Sequence, residues 1–293
     1  MAILVGADTR VIVQGMTGRA GTFYTEQALH YGSHYVAGVR PGKGGREHLG
    51  LPVFNTAKEA ASETKANASL VMVPAHKAGD AMIEAIEAEV ALVVCVTERV
   101  PVHDISRVKA ALAGSDTVLI GPNSQGILTP NACKIGVMPT TDATPGSIGI
   151  ASRSASLTSE ILAQTTAYGL GQSTTVGVGG DPIHGIGFRK CLELFKDDPE
   201  TKGVILIGEV GGTEEEDAAA YLESVDYGKP VVALVVGRHA PKERRMGHAG
   251  TLSIFGLQSA DEKIERLASA GVIIAENADD VAHAMQVALD GQG

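Results

Sequence analysis

Residues 10–23 read Arg10-Val11-Ile12-Val13-Gln14-Gly15-Met16-Thr17-Gly18-Arg19-Ala20-Gly21-Thr22-Phe23. An apolar β-branched run is followed by glycines at three-residue spacing and then by a helical pattern. This is a strand, a tight turn and a helix start, the opening of a βα unit. Glycines at a strand end let a phosphate approach the amides of the following helix. The spacing Gly15-x-x-Gly18-x-x-Gly21 is not GxGxxG, however. The acidic residue expected about twenty positions on, which would hold a ribose diol, is replaced by Arg40-Pro41-Gly42-Lys43-Gly44-Gly45. An Arg/Lys pair there favours a phosphorylated nucleotide over NAD and speaks against an NAD(P)-dependent oxidoreductase.

The same rhythm runs through all 293 residues. Strands are expected at RVIVQ, YVAGV, SLVMV, ALVVCVT and TVLIG, and then at SIGIAS, TTVGVG, GVILIGE, PVVALVVG and GVIIAE. Amphipathic helices are expected between them, at GDAMIEAIEAE, VPVHDISRVKAALAG, SLTSEILAQTTAYG, GTEEEDAAAYLESV and ADEKIERLASA. Continuous apolar strands suit parallel sheets covered on both faces. The fold class is therefore α/β, as two doubly wound domains. Turn formers and prolines place the break at a linker over 129–145, between domains 1–128 and 146–293.

Composition narrows the function classes. Hydrophobic residues make up 44% of the chain and the net charge is −10, with PKERR as the one basic tract. No basic face is available for nucleic acid or a membrane surface. Cys95, Cys133 and Cys191 are far apart and lack CxxC spacing, which argues against a disulfide framework or a zinc site and fits a reducing compartment. The opening MAILVGADTR has only a short apolar stretch before Asp8, so no secretory signal is read there and a soluble, cytoplasmic protein is expected.

Several turns carry chemistry. VTERV and LIGPNSQGI follow strands and should line the carboxyl edge of the first sheet, where ligands bind in open α/β folds. In IASRSASLTSE, three serines sit at a strand-to-helix turn, and Ser156 with Ser159 or Glu160 is expected to cap the helix; the same amides could hold an anion. In ILIGEVGGTEEED, Glu209 ends a buried strand, where a carboxylate needs a partner such as a histidine N–H. The run Glu214–Asp217 reads as a first turn complementing the helix dipole. In APKERRMGHAGTL, His248 stands near Gly247 and Gly250, with room around its ring for a large group. His30 and His34 read as surface residues.

Together QGMTGRAGTF, RPGKGGREHLGLPVFNT, VTE, GPN, SRSASLTSE, VGVGGDPI, GEVGGTEEEDAAAY and APKERRMGHAG occur in the order seen in the alpha-subunit family of succinate–CoA ligases. The chain resembles that family from about residue 3 to about residue 290. The resemblance implies a Rossmann-like CoA-binding domain and a flavodoxin-like ligase domain. It places Thr17, Gly18, Arg19, Ala20 and Lys43 at the CoA phosphates, and Val96, Thr97 and Glu98 along the pantetheine arm. His248 matches a histidine phosphorylated in turnover and Glu209 the carboxylate that steadies it, with Ser154, Ala155 and Ser156 forming a phosphate nest. The implied reaction joins a carboxylic acid to CoA through a phosphohistidine and an acyl phosphate. The implied partner is an ATP-grasp beta subunit, in a heterodimer or heterotetramer, which would bind ATP or GTP with Mg2+.

The chain departs from the family near the acid. It has Gly121-Pro122-Asn123-Ser124-Gln125-Gly126 for the family's GPNCPG, Ser159 for a tyrosine, GGDPIHG for GGDPIPG and FGLQSADEK for GGKGTADEK. Asn123, Ser124, Gln125 and Ser159 border the acid pocket in the family. Extra space and hydrogen-bonding groups there keep malate, citrate or another substituted dicarboxylate open beside succinate. A non-catalytic CoA-binding regulator is a further alternative, although it has no use for Glu209 and GHAG.

Overall fold

A computed structural model describes residues 3–240, 248, 251 and 259–291. The chain forms two compact units, Leu4–Met138 with Ile183–Gly185, and Met1–Ile3 with Pro139–Pro182 and Ile186–Gly293.

The amino-terminal unit is built from β1 (Arg10–Gln14), α1 (Arg19–Tyr31), β2 (His34–Val39), β3 (Arg46–His48), β4 (Leu51–Phe54), α2 (Ala57–Thr64), β5 (Ala68–Val71), α3 (Ala75–Glu87), β6 (Leu92–Cys95), α4 (Val102–Leu112) and β7 (Val118–Ile120). Its strands lie in the order β3-β4-β2-β1-β5-β6-β7, parallel except for β3 against β4. This is the Rossmann-like order, with its reversal between β1 and β5. Val11, Ile12 and Val13 are fully buried, as a strand covered on both faces requires. Met82, Ala85, Ile105 and Val108, from α3 and α4, pack against Val71, Val93 and Leu119. Ala57 and Ala60, from α2, pack against Ile12, Ala37 and Val39.

This unit extends further than the sequence suggests. β8 (Gly126–Thr129) and β9 (Cys133–Gly136) form a buried antiparallel hairpin, and the boundary between units falls after Met138. Strands of only four residues each, on either side of the Pro130-Asn131 turn, read locally as loop. The stretch expected to be a linker thus begins as part of a unit.

In the carboxy-terminal unit follow β10 (Pro145–Ser152), α5 (Ala155–Ala167), β11 (Gln172–Gly177), α6 (Phe188–Asp197), β12 (Gly203–Glu209), α7 (Glu214–Ser224), β13 (Val231–Val236), α8 (Ala260–Ser269), β14 (Ile273–Ile274) and α9 (Val281–Asp290). Five parallel strands run β14-β13-β12-β10-β11, a flavodoxin-like order with its reversal between β10 and β12. Helix α6 places Phe188, Cys191, Leu192 and Phe195 at i, i+3, i+4 and i+7, and all four are fully buried.

The acidic run at the start of α7 does more than complement a dipole. Glu215 and Lys263 are both fully buried and form an ion pair. Lys263 Nζ also lies 3.1 Å from Glu216 Oε2, and Glu215 Oε1 accepts from the backbone N–H of Glu209 at 3.0 Å. Glu214 Oε2 accepts from the Phe188 N–H at 2.8 Å, at the first turn of α6. Burial pushes the Glu215 carboxyl above its usual range, while Lys263 and Arg153 pull the other way. Removing one partner of a buried pair leaves an uncompensated charge. Lys263→Met is therefore expected to cost about 3–5 kcal/mol in denaturant unfolding. Adding Glu215→Gln, which keeps the acceptor for Glu209, should recover more than half of that loss, and a double variant no better than Lys263→Met would refute the pairing.

Candidate active site

The sequence-predicted residues of the amino-terminal unit lie on the strand-to-helix turns after β1 and β6, on the loop between β2 and β3 and on the turn between β7 and β8. After β1 the chain turns at Gly15, whose φ is +94° and where a Cβ would stand 2.5 Å from the Met72 carbonyl oxygen. A Cβ on Gly21 would meet the Gly15 carbonyl oxygen at 2.2 Å, so α1 can pack this close only with glycine at both places. Helix α1 begins with no side-chain cap at Gly18 and no acidic residue in its first turn. Arg19 and Ala20 are exposed there, and their amides lie in the first helical turn, where the dipole favours an anion. Arg40 Nη1 donates to Thr17 Oγ1 at 2.6 Å, so the cationic loop is anchored to the glycine turn. A cleft of about 310 Å³ at this edge is lined by Gly15, Gly18, Val39, Arg40, Met72 and Lys77, among others. It opens where the strand order reverses, the expected place for a nucleotide.

Asn55 was not anticipated from the sequence. Its Oδ1 accepts from the N–H groups of Gly42 and Gly44, at 2.9 and 3.0 Å, and shapes the loop carrying Lys43. Lys43 is half-buried within it. Val96 and Thr97, after β6, are also half-buried, and Glu98 is exposed. Thr97 Oγ1 donates to the Val73 carbonyl at 2.8 Å and the Thr97 carbonyl accepts from Asn123 N–H at 2.9 Å. The neighbouring Ser124 and Gln125 are buried, and Ser124 Oγ accepts from the Gly126 N–H at 2.8 Å. That bond gives Ser124 a part in holding its own turn.

The carboxyl edge of the second sheet gathers the other group. Pairing of β10 with β12 brings the turn after Ser152 beside the end of β12, and Arg153 N–H donates to the Ile207 carbonyl at 3.0 Å. Glu209, the last residue of β12, approaches Nδ1 of His248 with both oxygens, at 2.9 and 3.1 Å. Its Oε1 also lies 3.0 Å from Nη2 of Arg153. The Glu209 side chain is 8% exposed and that of His248 32%. The hydrogen bond with Glu209 raises His248 above the ordinary histidine range, helped by the charges of Glu209 and Asp181 and opposed by burial and Arg153. Thr251 Oγ1 donates to the His248 carbonyl at 2.8 Å. The imidazole lies over Gly180, where a Cβ would stand 2.4 Å from Cγ of the ring. Gly247 and Gly250, expected to leave room around His248, lie outside the described residues.

Helix α5 starts at the same edge. Its cap is Ser154, whose Oγ accepts from Leu157 N–H at 3.3 Å, and not Ser156, which already lies inside the helix. Ala155 and Ser156 are exposed at the helix start, and Ser159 Oγ reaches back to the Ala155 carbonyl at 3.4 Å. Arg153 was missed from the sequence, because its pairing with Glu209 joins two separate strands and leaves no local pattern. His30 and His34 differ little from expectation: His34 is exposed, and so is His30.

Residues 7–99 match the CoA binding domain family, and residues 151–273 match the CoA-ligase family. The chain is 51% identical to the succinate–CoA ligase [ADP-forming] subunit alpha of Aquifex aeolicus, over 94% of this chain and 91% of that one. It is 46% identical to the protein of the same name from Staphylococcus epidermidis, over 96% and 93%. In fold alone it is similar to the ATP citrate lyase of Methanothrix soehngenii, with a TM-score of 0.90 at 23% identity, over 99% of this chain and 51% of that one. With near full-length identity at this level, the chain belongs to the family of succinate–CoA ligase alpha subunits.

Proposed function

We propose that this chain is the alpha subunit of an NDP-forming ligase that joins succinate to CoA, with His248 as the phosphoryl carrier. The observation that carries the reading is the approach of Glu209 to Nδ1 of His248. A carboxylate there accepts a hydrogen bond from Nδ1–H, so the lone pair of the neutral ring lies on Nε2. Nε2 then attacks the γ-phosphorus of a nucleoside triphosphate, and the bond to the leaving diphosphate breaks. The phosphorylated ring keeps its Nδ1 proton and a positive charge, which Glu209 stabilises. A carboxylate oxygen of the acid takes the phosphoryl group and releases His248. The CoA sulfur then attacks the acyl carbon and phosphate departs.

The remaining assignments follow the same chemistry. Thr17, Gly18, Arg19, Ala20 and Lys43 bind the phosphates of CoA, using the uncapped start of α1, and Val96, Thr97 and Glu98 lie along its pantetheine arm. The exposed first turn of α5, with Ser154, Ala155 and Ser156, receives phosphate. The nucleotide and its Mg2+ belong to an ATP-grasp beta subunit, and the complete enzyme acts in the cytoplasm.

His248→Asn in the co-expressed pair is expected to abolish acid-dependent NDP release while CoA affinity stays within a few fold. Turnover above a few per cent would refute His248 as carrier. Since Glu209 holds the imidazole above its usual range, phosphorylation should fall as pH drops through that raised value and protonates the nucleophile. Glu209→Gln removes the largest cause, so the acid limb should move to lower pH while the plateau drops by roughly 10²-fold. An acid limb that stays in place would show that another group titrates.

Arg19→Ala with Lys43→Ala is expected to raise the KM for CoA and leave phosphorylation by NTP unchanged, each lost contact being worth about 1.5–3 kcal/mol. A fall in phosphorylation would move the basic loop to the nucleotide half-reaction. Competition among succinate, malate and citrate reads the acid. Succinate should lead, and preference for a hydroxylated acid would assign Asn123, Ser124, Gln125 and Ser159 to its recognition.

A further inference from the structure

Arg153 has no part in the reaction described above, yet it is a buried cation in direct reach of the carboxylate that holds His248. It is 4% exposed, and its two terminal nitrogens are both engaged. Nη2 meets Glu209 Oε1 at 3.0 Å and Nη1 donates to the Gly211 carbonyl at 3.1 Å, while Nε has no hydrogen-bond partner. Oε1 of Glu209 is therefore shared between Arg153 and His248 Nδ1, and Oε2 faces His248.

We propose that Arg153 is a positioning residue that acts through Glu209, fixing the carboxylate against Nδ1 and opposing protonation of the imidazole that accepts the phosphoryl group. This rests on the reading of His248 as phosphoryl acceptor. A carboxylate buried beside one histidine would gain its counter-charge by protonating that ring. The guanidinium supplies a permanent positive charge instead, in a planar fork that also sets the carboxylate's orientation. Among the described residues, three charged groups act on the ring from the surrounding elements: Glu209 at the end of β12, Asp181 in the segment after β11, and Arg153 after β10. Glu215 stands behind Glu209 on its backbone N–H. Glu209 and Asp181 favour the protonated ring and Arg153 opposes both. Histidine phosphorylation needs the opposite state from the one two carboxylates would impose, and Arg153, together with burial, offsets part of their pull on a ring that stays raised on balance.

The test uses Arg153→Gln and Arg153→Lys in the full chain. Histidines labelled with 13C at Cε1 report the titration of His248, assigned by loss of its signal in His248→Asn. In the co-expressed pair, single-turnover phosphorylation is followed against pH. For Arg153→Gln, the His248 titration and the acid limb of phosphorylation should both move to higher pH. The plateau should stay within about threefold of the parent, since the nucleophile and its Glu209 partner remain. The KM for CoA should not change. Arg153→Lys, with the charge but not the fork, should fall between the parent and Arg153→Gln. The titration needs no phosphorylation, so it reads Arg153 even if His248 is not the carrier. An unchanged titration with a lowered plateau would overturn the proposal and place Arg153 on the phosphoryl group. If Arg153→Gln does not fold, Arg153→Lys decides: a His248 titration equal to the parent's overturns the proposal.

Discussion

The contact on which the site depends is the pair of short approaches from Glu209 to Nδ1 of His248, at 2.9 and 3.1 Å. It does two things at once. It uses one ring nitrogen, which decides where a new bond to the imidazole can form. On the proposed reading it also puts a negative charge beside a ring that is cationic once phosphorylated at the other nitrogen. Each is a requirement on position, and position here comes from the fold. Glu209 is held by its strand, by Glu215 on its backbone amide and by Arg153 on its side chain. The buried Lys263 holds Glu215 in turn.

The two units solve the same problem with different strand orders. In each, the order reverses at one place, and the turns on either side of the reversal leave the carboxyl edge in different directions. In the amino-terminal unit that place carries Gly15, Gly18 and the loop with Arg40, around a cleft beside a helix start with no acidic residue in its first turn. In the carboxy-terminal unit it carries Arg153 and Glu209. In a chain whose net charge is −10, each edge thus brings a guanidinium group beside a strand-to-helix turn.

Much of this was legible in the residues. Apolar runs ending in glycine marked the strands and the parallel arrangement, and Glu209 at a buried strand end called for a partner of the histidine type. The signals that failed are long-range or short. Arg153 looks like one polar residue in a serine turn until β10 and β12 pair. Lys263, in ADEK, looks like a solvated helix residue until α8 packs it onto Glu215. The strands β8 and β9 are four residues each, too short for periodicity to outweigh their turn-forming neighbours. Helix α6 is a different case, since its helical apolar spacing is present in the residues although no helix was expected there. It follows the glycines and proline of GGDPIHG closely, and those turn formers mask its start.

The most direct measurement is the identity of the phosphorylated nitrogen. The co-expressed pair is phosphorylated with a nucleoside triphosphate, and the phosphohistidine isomer is read by 31P NMR and by alkaline hydrolysis of the labelled protein. With Nδ1 held by Glu209, all label should be on Nε2 of His248. Phosphate on Nδ1, or on a residue other than His248, would contradict the account.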